Sequence, residues 1–139
     1  MTRRPITPQD LWALRRVGHP AVAPDGSFAI VPVTESDVPE NRGRTRLWRV
    51  ERDGSHRPLT SPGTDSTNPV LSPDGSRVVS ASTDQTVRLW AAGSGDHVLT
   101  IPFAVQVYGA RFSRDGTRLA VMPMDGTVVI LDAPQSAQR

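Results

Sequence analysis

The sequence predicts an all-β fold, an incomplete propeller of about three four-stranded antiparallel blades behind a short N-terminal helix. Three observations predict it. The same hairpin corner occurs in AVAPDGSFAIV (21–31), VLSPDGSRVVS (70–80) and ARFSRDGTRLAV (110–121). The corner aspartates lie 49 (74 − 25) and 41 (115 − 74) residues apart, near the period of roughly 40–50 residues that a four-stranded blade takes up. Between the corners, short apolar runs of strand length alternate with further turn signals. A sandwich or small barrel can be built from the same hairpins, but neither requires one turn to recur at this interval.

The N-terminal helix is predicted from Thr7-Pro8-Gln9-Asp10, a start signal with proline at the first helical position. Leu11, Trp12 and Leu14 fall partly on one face, so the helix is expected to pack on the blades as a plug with Trp12 as anchor. The chain then divides into helix (1–18), blade 1 (19–60), blade 2 (61–101), an incomplete blade 3 (102–133) and a tail (134–139).

Each corner has its own chemistry. Pro24 and Pro73 pre-set φ at the first central position, and Asp25, Asp74 and Asp115 follow. Gly26, Gly75 and Gly116 then take the left-handed site that closes the turn. In blade 1, Asp53-Gly54 separates RLWRVE from HRPLT, and the polar stretch 34–46 reads as a long loop, either solvated or a contact loop. In blade 2, Thr83-Asp84-Gln85 divides VVSAS from TVRLW, and Gly93-Ser94-Gly95-Asp96 precedes HVLTI. In blade 3, Asp125-Gly126 divides LAVMP from TVVIL, and the polar, proline-broken tail offers no outer strand. Three units at most leave blade faces and an edge uncovered, which favours association. The chain is therefore expected to be a fragment of a larger propeller or to self-associate into a ring.

Two resemblances accompany this reading. ITPQDLWALRRVGHPAVAPDGS and DVPENRGRTRLWRVERDGSHRPLTSPGTDSTNPVLSPDGS, within residues 6–79, resemble the start of the propeller in prolyl oligopeptidase-family serine peptidases, the acylaminoacyl-peptidase branch in particular. TolB-like propellers share the SPDG element. From Val78 onward, VVSASTDQTVRLWAAGSGDHVLTI resembles a WD repeat, in which a turn Asp, a strand Ser or Thr, a Trp and a His form a hydrogen-bonded set. The resemblance assigns Ser82, Asp84 and Trp90 to that set, with Asp125 at the equivalent turn of blade 3. The His has no counterpart, since Asp65-Ser66-Thr67-Asn68 stands where Gly-His is usual, and in blade 3 Pro123 and Leu131 occupy the Ser and Trp positions.

No catalytic, cofactor-binding or metal-binding residue is predicted. The peptidase resemblance implies a nucleophile on a Gly-x-Ser-x-Gly elbow in a separate hydrolase domain, and that pentapeptide does not occur here. The chain has no Cys, its three histidines stand apart at turns, and no calcium-loop or phosphate-loop pattern is present. The pI near 10.3 arises because all sixteen basic residues are Arg, while the net charge is only +2. Spread-out arginines do not make a nucleic-acid face. No apolar run has membrane-spanning length, and no signal segment is read at the start, so a cytoplasmic location is expected. The expected function is a non-catalytic module for a protein or peptide partner. The alternative is the propeller part of a prolyl oligopeptidase-family peptidase without its hydrolase domain.

Overall fold

Residues 3–61 and 65–133 are described by a computed structural model. The element order is α1 (Pro8–Ala13), β1 (Arg16–Val17), β2 (Ala21–Val22), β3 (Phe28–Asp37), β4 (Arg42–Glu51), β5 (His56–Pro58), β6 (Thr67–Leu71), β7 (Arg77–Ala81), β8 (Thr86–Ala91), β9 (His97–Pro102), β10 (Val107–Phe112), β11 (Arg118–Pro123) and β12 (Val129–Asp132). All pairings are antiparallel between chain neighbours, with one interruption: β1 and β2 both pair with β3. Three sheets result, β1/β2-β3-β4-β5, β6-β7-β8-β9 and β10-β11-β12. The fold is an incomplete β-propeller. Whether residues 134–139 supply an outer strand lies outside the described residues.

Burial on both faces explains the composition of the middle sheet. Along a strand successive side chains point to opposite faces. Val78 and Trp90 turn one way, into a cluster with Ile30 and Leu47 of the first sheet and Leu59 just beyond its last strand. Val79, Ala81, Val87 and Leu89 turn the other way, onto Val107, Ala110, Leu119 and Val121 of the third. Hence β7 reads Val-Val-Ser-Ala after Arg77, apolar or small at all four buried positions, where a half-exposed strand would alternate with charged residues. The inner strands run side by side, with β6 against β2 and β10 against β6.

The three Asp-Gly corners occupy equivalent places, each joining the innermost strand to the next: β2 to β3, β6 to β7 and β10 to β11. Gly26, Gly75 and Gly116 have φ of 72°, 75° and 74°, and each donates its N–H to the residue three earlier at 2.9 Å. Successive corners also stack. A Cβ placed on Gly75 would meet Pro24 Cδ at 3.2 Å, and one on Gly116 would meet Pro73 Cδ at 3.5 Å. Each proline therefore fixes its own turn and lies against the glycine of the following blade.

Two expectations need correction. The stretch 34–46 is not a long loop, because β3 and β4 pair through it from Phe28–Glu51 out to Asp37–Arg42. Polar cross-strand partners hold this ribbon. Thr34 and Thr45 hydroxyls lie 2.8 Å apart, Arg44 Nε donates to Asp37 Oδ2 at 2.8 Å, and Asn41 takes the left-handed conformation in the turn. The N-terminal helix is not a plug. It has six residues and touches only β3 among the elements, and Leu11, Trp12 and Leu14 are each more than half exposed. Its start is held locally, with Asp10 accepting from Thr7 N and Thr7 Oγ1 and pairing with Arg4. The chain turns extended at Leu14, so the three apolar side chains never form a helical face.

Candidate interaction surfaces

Each corner builds a small, preorganised polar cap. Asp25 Oδ1 accepts from Ser27 N and Ser27 Oγ, Asp74 from Ser76 N and Oγ, and Asp115 from Thr117 N and Oγ1, all at 2.6–3.0 Å. The second and third corners carry one further donor. Ser72 Oγ reaches Asp74 and Ser113 Oγ reaches Asp115, both at 2.6 Å, while the matching position of the first corner is Ala23. Donors to a carboxylate favour its charged form. Ser72 first and Ser76 next lower Asp74 to about 2, Ser113 and Thr117 lower Asp115 to about 2, and Ser27 lowers Asp25.

The same Asx chemistry recurs at Asp53 with Ser55 and at Asp125 with Thr127. Asp125 thus sits at the turn between β11 and β12, with Pro123 buried at the end of β11 and Leu131 packed on the shared core.

The set assigned to Ser82, Asp84 and Trp90 forms only in part. Asp84 N donates to Ser82 Oγ at 3.3 Å, and Asp84 accepts from Thr86 and from Arg88 Nη2. Burial raises the Asp84 carboxyl, but Thr86 and Ser82 donors with the Arg88 charge outweigh it and the net shift is downward. Trp90 is not joined to this group. Its Nε1 donates to Ser80 Oγ at 3.0 Å, inside the core. Strand geometry separates them, since Ser80 pairs with Arg88 two rungs from Val78–Trp90 and so on the same face, whereas Ser82 lies beyond the strand end. Ser80 was missed, although its place two residues from Val78 on the indole's face was readable from alternation. Where the repeat pattern carries His, Ser66 is fully buried and its Oγ has no hydrogen-bond partner among the described residues.

Two of the three histidines, all exposed, lie against tryptophan rings. His97 stands edge-on to Trp90 at 5.3 Å between ring centres, and His56 is tilted against Trp48 at 5.8 Å. His19 lies at the wall of a groove of about 480 Å³ that runs across the three innermost strands. Val22, Asn68, Tyr108, Arg111 and Met122 share this wall. Asn68 has φ 49°, sits in a register shift of β6, and donates its Nδ2 to Tyr108 O at 2.7 Å across the blade boundary. A matching shift in β10 falls between Val107 and Gly109 and leaves Tyr108 68% exposed. Paired bulges thus aim an aromatic ring and an amide into one cleft of ligand-accommodating size. Nothing in the sequence pattern marked this groove, because bulges leave no turn signature.

Residues 65–91, which span β6, β7 and β8, match the WD domain, G-beta repeat family. The second blade thus matches the WD40 repeat over three of its four strands. This agrees with the WD-repeat resemblance of the stretch from Val78, and extends it back through the first strand of the blade. The chain is also similar to dipeptidyl-peptidase 5 of Porphyromonas endodontalis, 29% identical over 82% of this chain and 17% of that protein. A second similarity is to dipeptidyl-peptidase 5 of Porphyromonas gingivalis, 32% identical over 57% of this chain and 12% of that protein. The matches thus span less than a fifth of either relative's length. A match to the WD40 repeat and a similarity to dipeptidyl-peptidase 5 thus fall in one chain, in line with the two resemblances. No helix among the described residues is long and apolar enough to cross a membrane.

Proposed function

We propose that the chain is a non-catalytic β-propeller module that binds a protein or peptide partner. The observation that carries this reading is the groove over the innermost strands, where Tyr108 and Val22 are well exposed on a scaffold of tightly capped corners. Rigid scaffolds that present exposed aromatic and polar groups in a cleft bind at low entropic cost. Arg111 and the Asn68 amide add donors for a backbone carbonyl or carboxylate. The test is selection of peptides from a random display library on the purified chain. Selected peptides are expected to bind in the micromolar range and to weaken at least tenfold with Tyr108→Ala. Peptides that bind the variant equally well, or no enrichment at all, would contradict the reading.

A second reading is favoured by the two dipeptidyl-peptidase 5 similarities: a propeller part of a peptidase whose hydrolase domain is encoded elsewhere. A downstream reading frame with a Gly-x-Ser-x-Gly elbow supports it. Turnover of dipeptidyl substrates by the purified chain alone would overturn the non-catalytic assignment in either form.

A further inference from the structure

The groove over the innermost strands has a charge character that narrows its occupant. Of the described residues that line it, none is Asp or Glu, while His19 stands at the first blade and Arg111 at the third. Arg111 is exposed and has no hydrogen-bond or ion-pair partner among the described residues. That sets it apart from Arg4, Arg15, Arg44, Arg49 and Arg88, each of which is paired with a carboxylate. A free guanidinium fork matches the two oxygens of a carboxylate in shape as well as charge.

Arg111 shares β10 with Tyr108, and three residues of strand separate them by about 10 Å at most. The floor between them is small and apolar. Gly109 and Ala110 are buried, and the Met122 methyl lies 3.7 Å from where a Cβ on Gly109 would stand. A ring, an apolar floor and a free cation thus follow one another along a single strand. Innermost strands line the axis of a propeller, and neighbouring blades stack on the blade faces. This wall therefore stays open to a ligand with any number of blades in the ring.

We propose that the groove takes a peptide in which an acidic side chain adjoins an apolar one, with the carboxylate on Arg111 and the apolar group on Tyr108 and Met122. This rests on the binding role proposed above and names its ligand. The carboxylate belongs to a side chain and not to a chain terminus. Terminal carboxylates are captured by clusters of backbone N–H groups, and the corner next to Arg111 has used its own. Ser113 N donates to Arg118 O, Gly116 N to Ser113 O and Thr117 N to Asp115 Oδ1. A nucleic acid would need several cations side by side to meet successive phosphates, and the groove holds one arginine.

The test passes two pools of random decapeptides over the immobilised chain. Both pools are C-terminally amidated, and they differ only in that Asp and Glu of one are Asn and Gln in the other. The acidic pool is expected to be retained about tenfold more strongly. Arg111→Gln is expected to remove that preference with the circular-dichroism spectrum unchanged, and Arg111→Lys to keep part of it. Arg52→Gln, at an exposed arginine in the β4–β5 turn, is expected to leave it intact. A preference that survives Arg111→Gln, or one that Arg52→Gln also removes, overturns the inference. So does retention that appears only when the terminal amide is replaced by a free carboxylate. If both pools bind alike and Tyr108→Ala releases both, the binding role stands and the acidic ligand falls; if neither pool binds, both fall.

Discussion

A single hydroxyl separates the three corners. Ser72 and Ser113 each add a donor to the turn aspartate, and Ala23 cannot. Asp74 and Asp115 therefore sit at about 2, below the ~3.9 of an unperturbed Asp. A carboxyl whose folded pKa is depressed contributes stability that is fully present above its unfolded value. That contribution is lost as pH falls through the folded value, here between about 4 and about 2. Carboxyl ¹³C titration is expected to give Asp74 and Asp115 midpoints below that of Asp25. Ser72→Ala should raise Asp74 toward Asp25 and bring the acid unfolding midpoint upward. Equal midpoints at all three corners would contradict this account. The difference was legible in the sequence, since Ser precedes Asp by two residues in the second and third corners and Ala does in the first. Trp90 was not legible in the same way. The repeat pattern pointed to Ser82, while strand alternation placed Ser80 on the indole's face.

At the scale of elements, stacking and turn geometry can be separated experimentally. Alanine at Gly26 or Gly75 must adopt a φ above 70°, which costs about 1–2 kcal/mol at either site. At Gly75 the new methyl also meets Pro24 Cδ at 3.2 Å, whereas at Gly26 it meets nothing within 4 Å among the described residues. Urea unfolding is expected to show Gly75→Ala losing more stability than Gly26→Ala, and equal losses would mean that the corners do not stack. The corner elements were readable because Pro-Asp-Gly fixes backbone conformation locally. The β3–β4 ribbon was not, because Thr34, Glu35, Asp37 and Arg44 look like loop residues until each finds a partner on the paired strand or on Arg15. Helix α1 misled in the opposite direction. Its apolar residues suggested a packed face, but one and a half turns are too few to align them.

For the molecule as a whole, the two inner interfaces hold the blades by apolar packing with a few polar ties. Arg49 Nη1 donates to Ala92 O at 2.7 Å across the first boundary, and Asn68 Nδ2 to Tyr108 O across the second. The same stacking of repeats sets the innermost strands side by side, where they line the groove. That stacking is tested most directly by nuclear Overhauser contacts between corners. The predicted result is a Pro24 Hδ to Gly75 Hα contact together with a Pro73 Hδ to Gly116 Hα contact. Absence of both in a folded sample, or a Pro24 contact to Gly116 in their place, would contradict the successive-blade arrangement.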